Sequence, residues 1–124
     1  MVIVDTSIWI HLFRNKESEY AKSLESLIVQ GQVAINGIIY AEFIGGFKDN
    51  KLRTLYKQKF QIFQFVDITK ESYYLASELK AKYPDYSLGD AIIASNCIIN
   101  QYPLFTIDKD FKSYKKEGLV LYLK

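Results

Sequence analysis

The chain is poor in the residues that carry most metal, disulfide and nucleophilic chemistry: among 124 residues there is one cysteine and one histidine. A lone Cys97 excludes an internal disulfide and a cysteine-based zinc site. It stands inside the apolar run AIIASNCII, which reads as a buried, inert thiol. A serine triad would have to use His11, and no G-x-S-x-G elbow accompanies it. Close to Trp9 in an apolar stretch, His11 reads as a packing residue. No Walker loop and no G-x-G-x-x-G is present, which excludes the common nucleotide cradles. The two prolines and six glycines are scattered, so no linker or repeat divides the chain, and a single domain over 1–124 is expected. No apolar run reaches the length of a membrane span, and no charged region leads into a signal-peptide core. A cytoplasmic location without membrane attachment is therefore expected. The formal charge of +2 gives no global field for nucleic acid, so any such binding must rest on a local basic patch.

What is present is a globular composition, 49% hydrophobic and 24% charged, long enough to bury roughly two-thirds of the unfolded surface. The opening MVIVDTSIWI sets β-branched Val2, Ile3 and Val4 in a short buried strand. Asp5, Thr6 and Ser7 follow, residue types that begin helices. Ser18 to Gln30 has apolar residues at helical spacing, with Gly31 as a stop. QVAIN reads as a strand ending in the cap residue Asn36, and IIYAEFIGGF as a mostly buried helix interrupted by Gly45 and Gly46. Asp49 to Phe60 is helical but basic. FQFVDI reads as a strand, Thr69 caps a helix through Lys82, and YPDYS is a loop because Pro84 disfavours helix at the preceding residue. Leu88 to Asn100 is an apolar helix, and LFTI and LVLYL are strands. Alternating strands and helices predict an α/β fold, a parallel sheet covered by helices on both faces, with the strand order open.

Four carboxylates occupy notable places. Asp5 follows strand VIV, at the sheet edge where open α/β folds bind ligands. Glu42 stands alone in an apolar helix, Asp90 opens the helix LGDAIIAS, and Asp108 follows LFTI with Asp110 two residues on. Each has a plain structural alternative. Asp5 could cap a helix, and Asp90 could complete a capping box with Ser87. Glu42 could face solvent, and Asp108 and Asp110 could be turn residues. Gathered at one edge, the acids would repel and would require protons or a cation. Oxygen donors without cysteine or several histidines suit Mg²⁺ or Mn²⁺, and such ions at a sheet edge point to phosphate-ester chemistry.

VDTSIWI, YAEFIGG, SLGDAIIAS and LFTIDKDF together resemble the PIN-domain ribonucleases, and the length is similar to that of VapC-type toxins of toxin–antitoxin pairs. The resemblance implies a three-layer α/β/α sandwich with a central parallel sheet and a Mg²⁺- or Mn²⁺-dependent endoribonuclease acting on structured RNA, often transfer or ribosomal RNA. It implies that Asp5, Glu42, Asp90 and Asp108 form the catalytic set, with Asp5, Asp90 and Asp108 as metal ligands. Thr6 or Ser7, with Thr106, would brace them. It also implies a homodimer and a cognate antitoxin that blocks the site. A housekeeping PIN nuclease in RNA maturation and a non-catalytic RNA- or protein-binding PIN module remain alternatives.

TIDKD offers two candidates for the last acid. Alternation along LFTI places Thr106 and Asp108 on one side, which favours Asp108. Asp110 immediately precedes FKSYKKE, where an N-cap is needed, with a supporting role through a metal-bound water as its alternative. The basic run KDNKLRTLYKQK supplies Lys48, Lys51, Arg53, Lys57 and Lys59 for RNA phosphates and Tyr56 for stacking on a base, or else an ordinary solvated helix face. Among the first 50 residues, Phe13, Tyr20, Tyr40, Phe43 and Phe47 exceed a small core's needs, and some are expected on a dimer or antitoxin surface.

Overall fold

Continuous apolar triplets make the centre of the sheet, because a parallel strand covered on both faces has no solvent side to alternate toward. In the computed structural model, which describes residues 1–123, β1 (Val2–Val4) and β2 (Val33–Ile35) are buried at every position. β3 (Gln64–Phe65) is an exposed edge, β4 (Leu104–Phe105) is buried and β5 (Leu121–Tyr122) is half-buried. The five strands run in the order β3-β2-β1-β4-β5, and every pairing is parallel. Ile3 lies opposite Ala34 on one side and Leu104 on the other. Successive strands first step outward from β1 to β2 and β3, then the chain returns to the other side of β1 to lay down β4. The crevice between β1 and β4 is thus the point where connections diverge, the usual ligand position in open α/β sheets.

Helices α1 (Thr6–Arg14), α2 (Glu19–Val29), α3 (Gly37–Gly45), α4 (Asn50–Lys59), α5 (Lys70–Lys82) and α6 (Leu88–Asn100) connect the strands. α1 packs on α2 and α3, and α5 packs on α6, giving the expected three-layer α/β/α sandwich. Polar caps start five of them: Ser18, Asn36, Asp49, Thr69 and Ser87 each accept a backbone N–H of the following turn. Gly31 follows α2 at φ +67°, a left-handed conformation that glycine takes without strain. Trp9 anchors the core: its Nε1 donates to the Val4 carbonyl at 3.1 Å, and its ring meets Phe60 at 4.6 Å and Phe63 at 5.2 Å. His11 packs edge-on against Tyr20 at 5.4 Å, as its apolar setting predicts.

The strands expected from FQFVDI, LFTI and LVLYL are each cut to two paired residues. Beyond Phe105 the chain turns into a 3-10 helix, Lys109–Glu117, whose N-cap is Asp108. Among the described residues no helix is long and apolar enough to cross a membrane.

Candidate metal centre

Asp5 holds the N-cap position of α1 yet makes no capping bond with its side chain. Its Oδ2 instead accepts the Ser7 hydroxyl at 2.8 Å and the Thr106 hydroxyl at 2.8 Å. The two hydroxyls are 3.2 Å apart, and they in turn accept the N–H groups of Ile107 and Asp108. Position is fixed by the sheet, where the Asp5 N–H donates to the Phe105 carbonyl at 2.9 Å. Asp5 is buried, 5% exposed, and burial raises its carboxyl above the usual range. The Ser7 and Thr106 hydroxyls, then the N–H groups of Ser7 and Thr6, pull it back down. The Ser7 and Thr106 hydroxyls, rather than a helix-cap bond, are therefore the main partners of this carboxylate.

Glu42 faces solvent from α3, and the Thr6 hydroxyl donates to its Oε1 at 2.8 Å. The three consecutive residues Asp5, Thr6 and Ser7 thus place one carboxylate and orient a second. α3 itself is located by Asn36, whose Oδ1 accepts the Ile39 N–H at 3.0 Å while its Nδ2 donates to Asn96 Oδ1 at 2.9 Å. Asn96 also donates to the Asp67 carbonyl. Both asparagines are wholly buried, so this network ties the end of β2, the middle of α6 and the segment after β3 into one unit. Asn96 is a structural residue that the sequence reading overlooked; its only local signal is an amide inside the run AIIASNCII.

Asp90 lies in the first turn of α6, where its N–H donates to Ser87 Oγ at 3.1 Å. Its side chain does not complete the capping box. It meets Asp108 and Asp110 instead: one carboxylate oxygen of each of the three lies within 4.8 Å of the others. At 4.8 Å and an effective dielectric near 20, each ionised pair repels by about 3 kcal/mol. Burial and the charges of Asp108, Asp5 and Glu42 accordingly push Asp90 up from 3.8 to about 6. The same causes place Asp5 and Glu42 in the field of this cluster.

The structure corrects the reading of TIDKD. Asp108, not Asp110, caps the following helix, accepting the Asp110 N–H at 2.9 Å. Asp110 is released from capping and joins Asp90 and Asp108 in the cluster. Asp108 thus stands in the cluster as expected, while the cap expected of Asp110 falls to Asp108, because strand pairing ends at Phe105 and the 3-10 turn begins earlier.

The basic run is not part of this cluster. The Arg53 guanidinium is held by the Phe47 carbonyl and the Asn50 side chain, while Lys48, Lys51, Lys57 and Lys59 are exposed. Tyr56 is half-buried and packs against its aromatic neighbours. Its ring stacks on Phe47 at 5.0 Å and meets Phe43 at 5.6 Å, with Lys59 Nζ 5.2 Å from its centroid. Of the early aromatics, Phe43 is buried, Tyr40 and Phe47 are half-buried, and Phe13 and Tyr20 remain exposed. Cys97 is buried, and that burial pushes its thiol far up, in accord with an inert role.

All donors at this edge are carboxylate or hydroxyl oxygens, a set suited to a hard divalent cation and to few other ligands. An all-parallel sheet with such a site at its point of divergent connections has known counterparts. Residues 2–117 match the family model of the PIN domain, and the chain belongs to that family. Among solved structures it is similar to a toxin–antitoxin complex from Klebsiella pneumoniae, at 26% identity and TM-score 0.80, covering 97% of this chain and 96% of that one. It is also similar to VapBC2 from Rickettsia felis bound to a promoter DNA fragment, at 20% identity and TM-score 0.77, covering 98% of each chain. The toxin VapC20 from Mycobacterium tuberculosis, which cleaves the sarcin–ricin loop, shares the fold at 17% identity and TM-score 0.69, with 98% of each chain covered. No curated protein sequence matches the chain.

Proposed function

We propose that the protein is a Mg²⁺- or Mn²⁺-dependent endoribonuclease and the toxin of a toxin–antitoxin pair. The observation that carries this reading is the convergence of Asp90, Asp108 and Asp110 oxygens within 4.8 Å, beside Asp5 and Glu42, in a PIN domain. In this reading Asp90, Asp108 and Asp110 hold the cation, and the buried Asp5 contributes charge from beneath. Asp110 is thereby added to the expected ligands Asp5, Asp90 and Asp108. When bound, a divalent cation neutralises phosphate oxygens and lowers the pKa of a coordinated water. Glu42, on the solvent side and oriented by Thr6, is placed to accept a proton from an attacking water. Ser7 and Thr106 hold the Asp5 carboxylate still, so little reorganisation accompanies charge development.

The proposed substrate is structured RNA, consistent with the sarcin–ricin loop cleavage of the similar toxin VapC20. Exposed Lys48, Lys51, Lys57 and Lys59 on and beside α4 are proposed to meet its phosphates, Arg53 being already engaged. The proposed partners are a second copy of the chain and a cognate antitoxin, since similar structures are toxin–antitoxin complexes. Purified protein should cleave transfer or ribosomal RNA with Mg²⁺ or Mn²⁺, stop in EDTA, and lose cleavage in Asp90→Asn. Cleavage unaffected by EDTA or by that substitution refutes the reading. An absence of cleavage and of growth arrest on expression would favour a binding module.

A further inference from the structure

Two segments must meet for the acidic cluster to exist: the start of α6, carrying Asp90, and the start of the 3-10 helix, carrying Asp108 and Asp110. Like charge drives them apart. We infer that Tyr83 and Tyr86 clamp the loop before α6 onto the 3-10 helix, and that this clamp is a positioning device which holds the cluster assembled before a cation arrives. The inference rests on the metal-centre reading above.

The Tyr86 hydroxyl and Ser113 Oγ share a hydrogen bond at 2.7 Å. The Tyr83 hydroxyl donates to Glu117 Oε2 at 2.8 Å, and Lys82 Nζ donates to the same oxygen at 2.8 Å. The two rings stack at 5.9 Å and 9°. Both meet the buried Tyr114 ring edge-on, at 5.3 Å and 5.8 Å. On α5, Lys80 Nζ donates to the Pro84 carbonyl at 2.7 Å and the Tyr86 carbonyl at 2.8 Å. The loop is therefore fastened from both sides.

The placement gives the clamp its role. Tyr86 immediately precedes Ser87, the cap of α6, and Ser113 lies one 3-10 turn beyond Asp110. The Tyr86–Ser113 bond therefore joins the same two elements that the acidic cluster forces apart. Packing alone would be served by phenylalanine at 83 and 86, yet both hydroxyls are hydrogen-bonded to the facing helix. After burial, Asp90 is the next cause raising the Tyr114 hydroxyl, with Asp110 also contributing, so the tyrosine layer lies within the field of the cluster.

The test is Mn²⁺ titration calorimetry on the full chain stripped of metal, for the wild type, Tyr86→Phe, Ser113→Ala, their combination and Lys80→Met. Each single variant should weaken Mn²⁺ binding about fivefold to tenfold, and the combination of Tyr86→Phe with Ser113→Ala should be no weaker than either alone. RNA cleavage by Tyr86→Phe should fall at limiting Mn²⁺ and recover at saturation, raising the metal activation constant and leaving kcat unchanged. Unchanged Mn²⁺ affinity in Tyr86→Phe and Ser113→Ala, even with lowered Tm, overturns the clamp and leaves only packing. Additive losses overturn it as well. A wild type that binds no Mn²⁺ overturns the metal centre itself, whereas a wild type that binds Mn²⁺ no better than its variants overturns the clamp alone.

Discussion

In metal-free buffer at pH 7.5, Asp90→Asn is expected to raise the melting temperature rather than lower it. The carboxyl titrates near 6 in the folded protein against 3.8 when unhindered, so the native state holds its proton over a pH range where the unfolded chain has lost it. Stability is therefore present in full at low pH and is lost as pH rises through about 6. A displacement of about two pH units corresponds to about 3 kcal/mol. Because Asp90 is only half-buried, solvent screening reduces this to about 1–1.5 kcal/mol. Some of the gain is offset because a carboxylate in a first helical turn is itself favourable by about 0.3–1 kcal/mol. A net stabilisation of about 0.5–1 kcal/mol raises Tm by about 2–5 °C in a chain of this size. The assay is calorimetry in EDTA at pH 4.5 and 7.5, then with saturating Mn²⁺. The variant should exceed the wild type by more at the higher pH than at the lower, and only without metal, and Mn²⁺ should reverse the order. Equal pH slopes for the two proteins would refute the repulsion argument and leave Asp90 as a bystander in the helix start.

Further outcomes follow from named contacts. Asp108→Ala should lose both the cap and Mn²⁺ binding, lowering stability by about 1 kcal/mol, while Asp108→Asn keeps the cap and loses metal affinity; thermal melts and Mn²⁺ titration separate them. Asp110→Ala should weaken Mn²⁺ binding without a comparable fall in Tm, and a normal metal affinity would return Asp110 to the role of a turn residue. Thr106→Val removes one of two hydroxyls on Asp5 at nearly constant volume and should slow RNA cleavage about tenfold, read in single-turnover assays. Asn36→Ala should destabilise by about 2–4 kcal/mol, from a lost cap and an orphaned Asn96 amide, and a calorimetric change below 1 kcal/mol would contradict the buried network.

Local chemistry made most of the fold legible. β-Branched triplets gave β1 and β2, and cap residues such as Asn36 and Thr69 fixed helix starts to within a residue. What local patterns did not carry was decided by contacts distant in sequence. FQFVDI is apolar well past the two residues that pair, because apolarity reports burial and not ladder length. The double role of Asp108, as cap and cluster member, and the entry of Asp110 into the cluster depend on where the strand ends and the 3-10 turn begins, which alternation along LFTI does not report. Tyr56 reads as an aromatic on a basic helix, and the stacking of Phe47 on its ring is a contact that no local pattern reports. The tyrosine clamp was invisible for the same reason: YPDYS reads as a loop until the 3-10 helix is set against it.

The braced carboxylate also bears on synthesis. Asp5 is made 101 residues before the Thr106 hydroxyl that holds it, and β4 must dock beside β1 before that bond can form. Chains halted between α6 and β4 possess Asp5, Glu42 and Asp90 but neither Asp108 nor Asp110. The acidic centre should therefore appear all at once, when the 3-10 helix has emerged, and chains cut short of it should be inert. Ribosome-stalled chains of graded length, assayed for Mn²⁺-dependent RNA cleavage, should show none until residues through the 3-10 helix have cleared the exit tunnel.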